Sequence, residues 1–210
     1  VVPHDADTIL KNLYGDCKDH TVLLITLLKA VNIDSSSALI NMGEAYTLPK
    51  LAVMSPFNHV INYIPSLNLF LDSTAQYAPY GSLPSEDMDK PVLLTSLDKI
   101  GHTPKFDSKK DVVINQIELK INKNGAILGN GYSLAKGYFD VDYRGIRANH
   151  LDDDESALVG RRLSQYGESG DGKINATNPS HLDIPFTEKT AFKLDPTSNF
   201  PGPGAMKVPN

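Results

Sequence analysis

The chain has 210 residues, 40% of them hydrophobic and 21% charged, with a net charge of −5 at pH 7 and one cysteine. That composition fits one large globular domain or two small ones. With no Lys/Arg cluster interleaved with aromatics, it argues against nucleic acid as a partner, and a single cysteine excludes an internal disulfide or a multi-Cys zinc site. The chain opens Val-Val-Pro-His, without Met or a signal peptide. A reactive segment this close to the start predicts a fragment or processed piece whose upstream part is missing.

Residues 5–14 are expected to form a short helix running into Gly15, a residue that permits a sharp turn. Asp16 is then a good N-cap for a helix from Cys17 to about Asn32. The run Thr21 to Val31, TVLLITLLKAV, is apolar on nearly every side and predicts a buried helix. Broken by Thr26 and Lys29, it is too short to span a bilayer, so no transmembrane segment is expected. Ile33 to Met42 reads as a strand and Gly43 to Pro56 as a loop. Two short strands follow, Asn58 to Ile64 and Leu69 to Asp72, and Tyr77 to Pro91 reads as an irregular crossover. From Asp111 the pattern alternates, Asn124-Gly125 signals a hairpin, and the second strand is expected to run to about Asp140. Arg144 to Tyr166 predicts one amphipathic helix, 167–181 a loop with Asp171-Gly172-Lys173 as a turn, Phe186 to Leu194 a strand, and the Pro-Gly-Pro-Gly tail irregular structure. The predicted organisation is a core over residues 1–100 and a smaller β-rich region with one helix over 101–210.

Cys17 stands at the first turn of its helix, where unpaired N–H groups and the positive end of the dipole favour an anionic sulfur, the nucleophilic form. A cysteine nucleophile needs a base and a group that orients the base. Of six histidines only His59 lies in a strand-like run, and Asp72 follows 13 residues later. If Ile64 pairs with Leu69, His59 and Asp72 share a face as diagonal neighbours, roughly 5.5–8 Å apart at Cβ. A three-residue loop would place them on opposite faces. In that arrangement Cys17 attacks an acyl carbon, His59 moves the proton, Asp72 steadies the imidazole, and the Cys17 N–H meets the oxyanion. Each residue alone has a plain structural explanation: a small buried hydrophobe, a half-buried histidine, a turn-capping aspartate. Asp16 and Asp19 read as helix-start residues, His20 as structural, Asp152-Asp153-Asp154-Glu155 as a solvated helix face, and Tyr77 and Tyr80 as cleft or packing residues.

Gly15-Asp16-Cys17-Lys18-Asp19-His20 with Leu23-Leu24 and Leu27-Leu28 resembles the cysteine motif of the transglutaminase-like superfamily. Asn58-His59-Val60 and Leu71-Asp72-Ser73-Thr74-Ala75 resemble its histidine and aspartate motifs, in the same order. The likeness covers about residues 5–85, with Phe70 and Ser73 where the family often has Trp and Pro. The wording is similar to that of bacterial members carrying an upstream β domain, absent here. The resemblance implies an α+β, papain-like core with the cysteine helix packed on an antiparallel sheet. It also implies a periplasmic or cell-envelope location and a protein or peptide substrate; no cofactor and no metal are expected. Catalytic roles would fall on Cys17, His59 and Asp72. Cross-linking, amidase and peptidase activities all remain open. So do a non-catalytic peptide or cell-wall binding module on the same fold and an arylamine acetyltransferase-like reaction on small acyl donors.

Overall fold

The computed structural model describes residues 2–49 and 56–196, so the expected Gly43–Pro56 loop is described only in part and the Pro-Gly-Pro-Gly tail lies outside. The fold is α+β, with two antiparallel sheets in two units that divide after Asp111. The first unit therefore extends beyond residue 100. Among the described residues, no helix is long and apolar enough to cross a membrane.

The first unit opens with α1, Ala6–Asn12, N-capped by Asp5, whose side chain accepts from Thr8 N–H at 2.8 Å. Leu13 closes it in the left-handed region, at φ 58°. Helix α2, Cys17–Ala30, begins with a reciprocal cap: Asp16 accepts from the N–H groups of Lys18 and Asp19, and Asp19 accepts from Asp16 N–H. The expectation that α2 is buried all round is not met. Only Asp19 and Thr21 are buried, Val22 to Ile25 are half-buried, and Leu27 is 52% exposed. One side of the helix packs against the sheet and α1, which leaves its other apolar side uncovered within this unit.

The sheet is ordered β3-β2-β1-β4-β5, from β1 Ser36–Ile40, β2 His59–Ile64, β3 Leu69–Leu71, β4 Pro91–Leu94 and β5 Lys99–His102. Strand β2 is the axis: every residue from Val60 to Ile64 is buried. Ala38, Ile40, Ile61, Phe70, Val92 and Leu94 supply the apolar core around it. The pair β4–β5 was not anticipated. The four residues between β4 and β5 form a short 3-10 turn closed by Asp98 at φ 46°, in place of a glycine-marked hairpin.

The second unit's sheet is ordered β6-β7-β9-β8, from β6 Val113–Ile121, β7 Ile127–Ala135, β8 Gly170–Ala176 and β9 Thr187–Leu194. The expected Asn124-Gly125 hairpin joins β6 to β7, with Gly125 at φ 82°. Three expectations are corrected here. The second strand stops at Ala135, because Gly137, at φ 65°, turns the chain into α3, Tyr138–Ala148. One helix becomes two, because Asp154 caps a new start, accepting from Ala157 N–H at 2.8 Å, and opens α4, Glu155–Ser164. The acidic run is thus a helix start: Asp153 pairs with His150 and Arg161, and Asp154 is the cap. Part of the expected loop, including Asp171-Gly172-Lys173, is strand β8. Its glycines approach β9 so closely that a Cβ at Gly172 would lie 2.4 Å from the Ala191 carbonyl oxygen. Leu158, Val159 and Leu163 of α4 cover Ile127, Ile174, Phe192 and Leu194.

Arg144 organises the rest of this unit. Its side chain is fully buried, pairs with Asp140 one turn back, and donates to the carbonyls of Pro179 at 3.1 Å, His181 at 3.0 Å and Ile184. Asp140 in turn accepts from Phe186 N–H at 2.7 Å. A segment with little apolar content is thereby fixed by one guanidinium.

Candidate active site

The register that carries the site is the expected one: Ile64 pairs with Leu69, Tyr63 with Phe70 and Asn62 with Leu71. The four-residue connection Pro65–Asn68 closes with Asn68 in the left-handed region at φ 47°. This keeps His59, at the start of β2, on the same face as Asp72, just beyond β3. His59 Nε2–H donates to Asp72 Oδ2 at 3.1 Å, between side chains only 8% and 3% exposed. With Nε2 committed to the carboxylate, Nδ1 is the nitrogen left for the Cys17 thiol, a neighbour that favours the charged imidazole. Cys17 is partly exposed, whereas the His59–Asp72 pair is enclosed.

A lattice of buried polar contacts holds the three elements together. Thr21 Oγ1 of α2 donates to the Val60 carbonyl at 3.2 Å, and Asn62 Nδ2 of β2 donates to the Thr21 carbonyl at 3.1 Å. Ser73 Oγ donates to Asn62 Oδ1 at 3.2 Å, and His20 Nδ1–H donates to the Ser73 carbonyl at 3.0 Å. His20 is thus a strut between the cysteine helix and the turn bearing Asp72. Asp72 Oδ1 is filled by Thr74, through its N–H at 2.8 Å and its hydroxyl at 2.7 Å. Asp19 binds His4, through the backbone N–H at 2.8 Å and Nδ1 at 3.1 Å, so it anchors the N-terminal segment as well as capping α2. Tyr80 is 80% exposed and Tyr77 half-buried.

Electrostatics follow from this enclosure. Burial disfavours a charged His59, but the hydrogen bond and charge of Asp72 outweigh it, helped by the Cys17 thiol, and raise the imidazole to about 9. Burial likewise opposes ionisation of Asp72. The His59 and Thr74 hydrogen bonds prevail and hold its carboxyl below the usual range.

One member was missed at the level of sequence. Asp87, in the short 3-10 turn Ser85–Asp87 of the crossover, is fully buried, and both of its carboxylate oxygens lack a hydrogen-bond partner. One side-chain atom each of His59, Asp72 and Asp87 lie within 4.8 Å of one another. The Ser-Glu-Asp-Met-Asp run lies within the stretch read as an irregular crossover; only Leu83 and Met88, apolar and buried on either side, signal that it folds inward. Compared with known proteins, the chain matches no family model, no curated protein and no solved structure.

Proposed function

We propose that the chain is a cysteine-dependent enzyme of the transglutaminase-like kind. It would transfer or hydrolyse the acyl group of an amide, either a glutamine side chain or a peptide bond, through a thioester on Cys17. The observation carrying this reading is the trio itself: a partly exposed cysteine neighbouring an enclosed imidazole that donates to an enclosed carboxylate at 3.1 Å. In the forward step the Cys17 sulfur attacks the amide carbon and the carbonyl electrons move to oxygen. Asp16 takes the N–H groups of Lys18 and Asp19, and the Cys17 N–H at the same helix start would donate to that oxyanion. The oxyanion collapses, the C–N bond breaks, and the His59 proton leaves on the departing amine. Water or an amine then attacks the thioester, His59 removes its proton, and the sulfur departs as thiolate. Asp72 keeps the imidazole in the tautomer that points Nδ1 at sulfur throughout. A papain-like arrangement of α2 on the sheet, protein or peptide substrates and a cell-envelope location complete the reading.

The test is trapping. The full chain is incubated with glutamine-containing peptides and quenched in acid, and the intact mass is read. An adduct equal to the acyl portion, lost in Cys17→Ala and in His59→Ala, is the expected result. Peptide binding that survives Cys17→Ala, with no adduct in any form, would favour the binding module instead.

A further inference from the structure

We propose that Asp87 is a positioning residue for this site. Protonated, it leaves the enclosed His59–Asp72 pair with one negative charge; ionised, it supplies a second. The proposal rests on the acyl-transfer reading above. Its geometric basis is the cluster itself. His59, Asp72 and Asp87 are brought within 4.8 Å by β2, the turn after β3, and the turn Ser85–Asp87. That last turn is held rigidly. Asp87 N–H donates to the Pro84 carbonyl at 3.1 Å, and the Asp87 carbonyl accepts from the buried Thr103 hydroxyl at 2.6 Å. Thr103 N–H donates to the Lys90 carbonyl at 2.8 Å, and Lys90 N–H returns to the Thr103 hydroxyl at 2.8 Å. The carboxyl group is buried with no donor to its oxygens, and Asp72 is the side chain close enough to accept its proton.

Two carboxylates so close, away from water, do not both ionise at low cost. Burial, followed by the negative charge of Asp72, pushes Asp87 up to about 7, with His59 pulling the other way and a hydrogen bond to Asp72 and the charge of Glu86 adding to the rise. Apart from the His59 imidazolium, the nearby charged groups among the described residues are engaged elsewhere. Lys90 spends its ammonium on the carbonyls of Gly43 and Glu44, Asp89 faces His102 at 3.5 Å, and His20 donates to Ser73. Below neutrality the protonated acid is therefore a neutral neighbour of Asp72. Above it, Asp87 releases a proton to solvent, the imidazolium gains a second counter-charge, and the sulfur–imidazolium pair deepens. A divalent cation is the competing use of the same three groups, but two of them are already engaged: Asp72 Oδ1 accepts from Thr74, and His59 Nε2 donates to Asp72 Oδ2.

Because the chain has a single thiol, iodoacetamide alkylation followed by intact mass reads Cys17 alone. Rates are measured from pH 4 to 10 on the full chain, for the native protein, Asp87→Asn, Asp87→Leu and His59→Ala, with metal content determined on each preparation. The native protein is expected to react fast below pH 7 and to gain a further step near pH 7. Asp87→Asn, a neutral isostere of the protonated form, keeps the acid-side rate within about threefold and loses the step; one pK unit of coupling makes that step about tenfold. Asp87→Leu, which lacks the polar group, is slower throughout, and the Asn variant's retention of the acid limb separates a positioning role from a merely structural one. A native profile that is fast and His59-dependent but superimposes on that of Asp87→Asn overturns the proposal and leaves the acyl-transfer reading intact. A native rate like that of free cysteine, unmoved by His59→Ala, overturns the reading itself. Stoichiometric metal in the native protein that disappears in Asp87→Asn also overturns the proposal, since Asp87 would then be a ligand.

Discussion

Replacing Asp87 with Asn should stabilise the protein at alkaline pH. Asp87 has an ordinary value of 3.8 and a folded value of about 7, so the folded state holds this proton more tightly than the unfolded chain does. The stability this confers is fully present below pH 3.8, erodes as pH rises, and is gone above about 7. The interval corresponds to about 4 kcal/mol, because each pK unit is worth about 1.4 kcal/mol, and full burial calls for no discount for solvent screening. Asn does not titrate and escapes this loss. Urea unfolding of both proteins at pH 4 and pH 8 gives the comparison, and amide exchange of the β2 peptide assigns the transition to the first unit. The variant is expected to gain about 4 kcal/mol on the native protein between the two pH values. His59 moves the same way in both, its contribution lasting below 6.5 and lost as pH passes about 9, so it largely cancels in the difference. A stability difference that does not change with pH would refute the reasoning, because a buried acid that costs nothing to ionise is not enclosed.

Three further outcomes concern other parts of the chain. Inserting one glycine between Leu67 and Asn68 should move Asp72 to the opposite face of β3, and Cys17 alkylation should then follow the profile of a free thiol. Arg144→Lys should lower the melting temperature of the second unit by an amount equivalent to about 3 kcal/mol, because one ammonium cannot replace a fork serving Asp140 and three or more carbonyls. Gly129→Ala places a Cβ 2.1 Å from the Phe192 ring and should cost about 1–3 kcal/mol, recovered in calorimetry by adding Phe192→Leu.

The site was legible in sequence where its geometry is local. Asp16 and Asp19 announce the start of α2 by composition, and the count from Ile64 to Leu69 fixes the face shared by His59 and Asp72. Elements set by tertiary contact were not legible. Strand β8, with the polar and glycine-rich sequence GDGKINA, has no apolar alternation; it is a strand because β9 supplies the pairing and α4 covers Ile174. The break between α3 and α4 hides in a charged run whose period stays helical on both sides, and only the cap at Asp154 marks it. For α2, apolar composition was a poor guide to burial, since one sheet can cover only one side of a helix.

Asp87 differs in kind from these misses. Most other buried polar groups among the described residues are satisfied: Arg144 has carboxylate and carbonyl acceptors, Asn62 bridges α2 and Ser73, and Asp19 accepts from two backbone N–H groups and a ring N–H. Among the described residues, the buried side-chain oxygens without a partner are those of Asp87 and the Ser35 hydroxyl. A bare buried acceptor costs about 1–3 kcal/mol. A chain that satisfies most of its buried polar groups, yet leaves a carboxyl without a donor within 4.8 Å of an imidazole and a second carboxyl, places that cost beside the proposed site. Stability alone would favour Leu or Asn at that position. What an acid adds there is a proton that can leave in the neutral range, and the group positioned to feel its departure is His59.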